Sequence, residues 1–217
     1  MQIDFCKKKS RIDYIASKIK KFDFKKVSKS SLHLFFLGKD SISIDPQING
    51  SHEPDLTNFI NWCAVNLYSD FLIDIGANIG LTSCQNGKAF KSVFCFEPNP
   101  LISSILKANA EITLDMSKVS IFDFGLGSAD ESLELMIPKN NWSGAFVVSP
   151  DNHYSDDILA SKDRFSKIEP DNYLIKKVEI RSAKAVLSKI FKQFSDADIT
   201  RGVIKIDIEG MEEVVLK

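Results

Sequence analysis

Short apolar runs rich in Ile, Val and Phe recur at 71–75, 93–97, 119–124 and 203–208. Their length and composition predict strands. Between the first three lie segments with helical spacing, 79–86 ended by Gly87 and 100–110 opened by Pro100. Proline suits a first helical turn and glycine a C-cap. Buried strands that alternate with helices belong to a parallel sheet covered on both sides. Right-handed crossovers place the first three in the order 3-2-1. The stretch between 124 and 203 is less regular. Residues 133–137 and 145–148 read as a hairpin-like insertion and 149–175 as a polar loop with a short helix. A strand at 177–180 and a helix at 183–194 follow, and 210–217 begins a further helix.

Upstream, Ile12, Ile15, Ile19 and Phe22 fall at steps of three and four among Lys18, Lys20 and Lys21. That spacing predicts a basic amphipathic helix. Residues 32–37 and 41–44 read as a hairpin around Gly38-Lys39-Asp40, and a helix opens at His52-Glu53-Pro54-Asp55 and runs to about residue 67. The division expected is an N-terminal extension over 1–69, of helix, hairpin and cap helix, and a main domain over 70–217.

Composition narrows the class. With 44% hydrophobic and 26% charged residues in 217, the chain can build a core, which excludes wholesale disorder and coiled coil. Its apolar runs fall far short of the ~20 residues that cross a bilayer. Residues 1–30 carry ten Lys/Arg against three Asp/Glu, and the remainder eighteen against twenty-six. A basic arm thus precedes an acidic body, which is a poor surface for nucleic acid. Cysteines at 6, 63, 84 and 95 form no C-x-x-C pair and have no His at zinc spacing. They read as reduced thiols. The expected location is the cytoplasm, with a peripheral contact at the inner face of the membrane through the basic helix.

The chemistry concentrates at Asp74-Ile-Gly76-Ala77-Asn78-Ile-Gly80, where a strand gives way to a helix. Missing side chains at Gly76 and Gly80 are expected to let backbone approach a ligand. The second strand ends in Glu97, followed by Pro98, and a carboxylate there can accept both hydroxyls of a ribose. Gly76 and Gly80 do not match the G-x-G-x-x-G spacing of a dinucleotide loop. A carboxylate at Asp74 suits a cationic ligand better than a pyrophosphate, which favours S-adenosylmethionine over NAD. Gly125-Leu-Gly127 follows a strand but lacks a third glycine, so it is a decoy.

The segments DIGANIGLTS, FCFEPNP, FGLGSADESLEL and IKIDIEGMEEVVL resemble the successive motifs of the FkbM family of S-adenosylmethionine-dependent methyltransferases, over roughly residues 70–217. The resemblance implies an α/β, Rossmann-like class I methyltransferase fold with a mostly parallel sheet and helices on both faces. It implies O-methylation of a glycan, lipid-linked sugar or secondary metabolite, with S-adenosyl-L-methionine as cofactor. Asp74, Gly76, Asn78 and Gly80 would line its methionine end, with Ala77 and Pro98 beside them. Glu97 would hold the ribose, and Asp123 would approach the adenine. Two departures stand out. Arg181-Ser182-Ala183 replaces a T-L-D found in many members. Methyltransferases of this fold also continue with three further strands, so the chain is expected to be truncated after the fourth core strand, with an open sheet edge that aggregates or pairs with another copy.

A hydroxyl acceptor needs its proton removed. Asp207 and then Glu209, at the end of the 203–208 strand, are the candidate bases, and His52, expected to close over the cofactor, is a third candidate catalytic residue. No metal is expected, a divalent ion on the two carboxylates being the lesser alternative. Trp142 is a candidate to stack on a sugar face. The partner expected is a small-molecule or glycan acceptor, with self-association as a further expectation. An inactive methyltransferase-fold scaffold and an NAD-dependent oxidoreductase are the competing functional classes.

Overall fold

A computed structural model of the chain describes residues 34–37, 41–196 and 201–216. The basic helix expected at 12–22 lies outside the described residues, as do the start of the expected hairpin and its turn at 38–40. No helix among the described residues is long and apolar enough to cross a membrane.

Four strands make a fully parallel sheet: β1 (Phe71–Ile75), β2 (Ser92–Phe96), β3 (Val119–Phe122) and β8 (Gly202–Ile206), in the order β3-β2-β1-β8. The 3-2-1 order expected from right-handed crossovers is present, and the strand ends agree with the pattern to within two residues. β1 is buried along its whole length. One face, with Leu72, Val93 and Cys95, packs on Ile60 of α2 (Pro54–Asn66) and Leu106 of α4 (Pro100–Thr113). The other, with Phe71, Ile73, Phe94 and Phe96, packs on Ile190 and Phe194 of α6 (Ala183–Asp196). The short helix α3 (Leu81–Asn86) follows β1. Among the described residues β3 and β8 are the two edges of this sheet, and Ile204 of β8 is 43% exposed.

A second sheet carries β4 (Gly125–Gly127), β5 (Glu131–Pro138), β6 (Phe146–Val147) and β7 (Tyr173–Ser182), in the order β4-β7-β5-β6. The antiparallel β5–β6 pair is the hairpin-like insertion expected. β7 is longer than the pattern indicated because it pairs with β5 from Glu131↔Ile180 to Pro138↔Tyr173. The decoy glycines belong to strand β4. A Cβ at Gly125 or Gly127 would come within 2.7 or 2.6 Å of the Ile180 side chain, so both make room for β7. Helix α5 (Asp156–Lys162) is the short helix of the polar loop.

The upstream hairpin is corrected. Residues 41–44, expected as a strand, begin helix α1 (Ser41–Asn49). Ile42 packs against Ile79, Leu81 and Ile102, while Ile44 is 48% exposed, which is a helical and not a strand division of the two. Residues 34–37 are irregular and take a side chain as their partner. The buried Asn109 accepts the Phe35 N–H through Oδ1 at 2.7 Å and donates through Nδ2 to the Phe35 carbonyl at 3.1 Å.

The turn after β1 is shaped by protein contacts. Gly76 (φ 76°) and Gly80 (φ 87°) both lie in the left-handed region. A Cβ at Gly76 would strike the backbone carbonyl of Asp207, whereas one at Gly80 would meet the tip of Leu106 at 2.7 Å. The two positions therefore differ in what can yield. Gly80→Ala should cost about 1–2 kcal/mol, mostly from the left-handed φ, because a leucine tip can turn away. Gly76→Ala should cost about 3 kcal/mol or more, because the end of β8 must move as well. Urea denaturation of the two variants measures the difference, and equal losses would contradict it.

Candidate functional site

The carboxyl ends of β1, β2 and β8 converge on a cavity holding about 850 Å³ of space free of protein atoms, open solvent included. A crevice at this edge is where open α/β sheets bind ligands. Gly76, Asn78, Glu97, Pro98, Asp207 and Glu209 line it, so six of the residues singled out in the sequence are brought together. The strap formed by the 3-10 turn Trp142–Gly144 supplies Trp142 and Ser143 to the opposite wall. No lysine, arginine or histidine is among the lining residues.

Glu97 is the centre of the arrangement. It is 7% exposed. Its Oε2 accepts the Asn78 N–H at 2.9 Å and its Oε1 the Asn99 N–H at 2.8 Å. Burial pushes its pKa up from 4.5 to about 7, and the two backbone donors restrain that rise. A carboxylate offers about four acceptor positions. Two are used here, and two remain on a residue that lines the cavity. Asn78 takes a left-handed φ of 53°, one that asparagine tolerates better than most residues.

The strap is tied to the same elements. Asn78 Nδ2 donates to the Ser143 carbonyl at 3.2 Å, and Ser143 Oγ donates to Asn78 Oδ1 at 3.1 Å. Asn99, which caps α4 through Oδ1, donates through Nδ2 to the Trp142 carbonyl at 3.1 Å. From behind, Asn141 Nδ2 donates to Asp163 Oδ1 at 3.3 Å. Burial raises the Asp163 pKa to about 6. Asn99 carried no sequence signal beyond its position, since it acts through a segment distant in the chain, whereas Ser143 stands beside the expected Trp142.

Other expected residues stand elsewhere. Asp74 has no exposure and does not line the cavity. Its Oδ2 accepts the Ser83 hydroxyl at 2.6 Å, and its Oδ1 lies 3.3 Å from Lys205 Nζ. Ala77, 3% exposed, packs in the core under α2 and α4. At Gly76 and Gly80 the space a Cβ would take is filled by Asp207 and Leu106, and Gly76 also lines the cavity whereas Gly80 does not. Asp123 pairs with Lys107 at 2.6 Å and with Ser103 Oγ; its side chain is half-exposed and outside the cavity lining. His52 is also outside it. Its backbone N–H is held by Gln85 of α3 at 2.7 Å, and its imidazole faces Glu53 at 3.7 Å.

The two candidate bases differ. The Asp207 side chain is 68% exposed and 3.4 Å from Lys205 Nζ. Glu209 is 23% exposed and is held by Lys162 of α5. Asp207 is therefore the carboxylate left accessible at the cavity.

No family model matches the chain. Over 153 residues it is 27% identical to a curated protein, methyltransferase sdnD of Sordaria araneosa, an alignment that covers 68% of this chain. The chain spans 59% of the length of that relative. Among solved structures it is similar to methyltransferase FkbM of Methylobacillus flagellatus KT, with 17% identity, 94% of this chain and 46% of that one covered, and a TM-score of 0.35. Over 68% of its length, then, the chain is similar in sequence to a protein named as a methyltransferase.

Proposed function

We propose that the chain is an S-adenosylmethionine-dependent methyltransferase domain that methylates a hydroxyl of a small-molecule or glycan acceptor. The observation that carries this reading is Glu97: a buried carboxylate at the end of the second parallel strand, with two acceptor positions unused and a cavity in front of them. Two ribose hydroxyls match that capacity. Among the described residues the cavity wall carries Glu97, Asp207 and Glu209 and no basic side chain, which suits a ligand with positive charge better than a pyrophosphate. The motif order and the methyltransferase relative support the same class.

S-adenosylmethionine would bring a methyl group already activated on a sulfonium, so the protein's task is chiefly alignment. Glu97 would hold the ribose, with Pro98 and Asn99 shaping the wall beside it. The Trp142 and Ser143 strap would close the opposite side and keep bulk water out. Asp207, the accessible carboxylate, would take the acceptor's proton, a contribution of about 10²–10⁴-fold.

Calorimetric titration with S-adenosylhomocysteine and with NADH tests the cofactor. The first should bind and the second should not. Glu97→Ala should weaken S-adenosylhomocysteine binding by about 1.5–3 kcal/mol, the range for a hydrogen bond to a charged group. A folded Glu97→Ala protein with unchanged affinity would remove Glu97 from the site.

The raised Glu97 pKa gives a second test with a definite sign. Between 4.5 and about 7 the folded protein holds a proton that the unfolded chain releases, so ligand-free stability falls as pH rises through that window. Asp163, raised from 3.8 to about 6, acts in the same direction at slightly lower pH. Hydroxyl donors favour the ionised carboxylate, so binding near pH 6 should expel a proton and affinity should climb toward pH 7 and then level. Glu97→Gln should abolish the Glu97 share of both effects. Calorimetry in buffers of different ionisation enthalpy reads the proton, and uptake instead of release would contradict the assignment.

A further inference from the structure

Parallel pairing sets Lys205 of β8 beside Asp74 of β1. Lys205 is only 12% exposed, and its ammonium meets three acceptors. It donates to the Gly76 carbonyl at 2.9 Å and lies 3.3 Å from Asp74 Oδ1 and 3.4 Å from Asp207 Oδ2. The Gly76 carbonyl takes a hydrogen bond, and the two carboxylates stand at ion-pair distance. Burial pulls the Lys205 pKa down, but the Asp74 and Asp207 carboxylates outweigh it and hold the group above the ordinary lysine value.

Neutralising Asp74 is reason enough for a cation at this place, because a buried carboxylate without a partner is costly. It does not explain the third contact. Asp207 is 68% exposed and could be solvated by water alone. Lys205 nevertheless reaches it, and on the way fixes the carbonyl of the glycine turn. A single cation therefore connects a sealed carboxylate, the turn beside the cavity and the carboxylate that faces the cavity.

We propose that Lys205 is a positioning residue: it locks the Gly76 turn against the end of β8 and holds the Asp207 carboxylate oriented toward the acceptor. The inference rests on the reading of Asp207 as the group that meets the acceptor. Other charges face the same region. Lys162 comes from α5 and is held by Glu209, Glu212 opens α7 (Glu212–Leu216), and Glu97 stands at the end of β2, two strands from β8. Lys162 therefore remains as a second, weaker source of positive potential when Lys205 is changed.

The test is carbon-13 NMR of aspartate carboxyls at neutral pH in the ligand-free protein, with Asp207→Asn identifying the Asp207 resonance. Lys205→Met alone would strand Asp74, so the informative variant is Asp74→Asn with Lys205→Met, which removes both buried charges together. The Asp207 resonance should move and broaden in the double variant, as the carboxylate loses its fixed orientation, and stay near its wild-type position in Lys205→Arg. A second reading needs no change at Lys205: in Asp207→Asn the Lys205 ammonium nitrogen-15 signal should move and its titration midpoint should fall. An unmoved Asp207 resonance in the double variant, or an unmoved Lys205 signal in Asp207→Asn, would overturn the proposal. A protein that shows these shifts but fails to bind S-adenosylhomocysteine would cost the cofactor reading and leave the positioning role standing.

Discussion

Asp74 places a carboxylate with no access to water in the middle strand of the parallel sheet, and its surroundings are built around that charge. An uncompensated ion there would cost several kcal/mol. Ser83 of α3 and Lys205 of β8 compensate it from two directions. The requirement fixes more than a pair of side chains. A one-residue slip of β8 would move Lys205 to the opposite face of the sheet, so the ion pair specifies the register in which β8 joins β1. That register in turn brings Asp207 to the end of the strand, against Gly76, where the Asp207 N–H donates to the Ile75 carbonyl at 3.0 Å.

The second buried carboxylate, Glu97, is held differently. Asp74 is sealed and faces a cation; Glu97 has no salt-bridge partner among the described residues and is held by the N–H groups of Asn78 and Asn99. Those two residues also carry the strap, through Ser143 and Trp142. One carboxylate thus organises the sheet, and the other organises the cavity wall and keeps acceptor capacity for a ligand. The difference explains why Asp74, expected at the methionine end of the cofactor, lies outside the cavity lining. Its charge is already spent on Lys205.

The parallel strands were legible because burial on both faces leaves uninterrupted apolar runs, and 71–75 is recovered as β1 without change. The glycine turn and the Glu97 strand end were legible because they fall at fixed places in a strand-turn-helix unit. Features that depend on distant neighbours were not. Gly125 and Gly127 are set aside as a dinucleotide loop for want of a third glycine, but only the structure shows that they make room for Ile180. Ile42 and Ile44 alternate like a strand, although Ile42 alone is drawn into the core. A lysine flanked by isoleucines in β8 reads as one polar face, and only the adjacent strand shows that it answers Asp74.

The central claim is that Glu97 receives a nucleoside at the carboxyl edge of the sheet. A crystal structure of the protein with S-adenosylhomocysteine tests it most directly. The account predicts both ribose hydroxyls on the Glu97 carboxylate, with the Asn78 and Asn99 N–H bonds retained and the strap closed over the ligand. A ligand bound elsewhere, or one whose ribose turns away from Glu97, would contradict it.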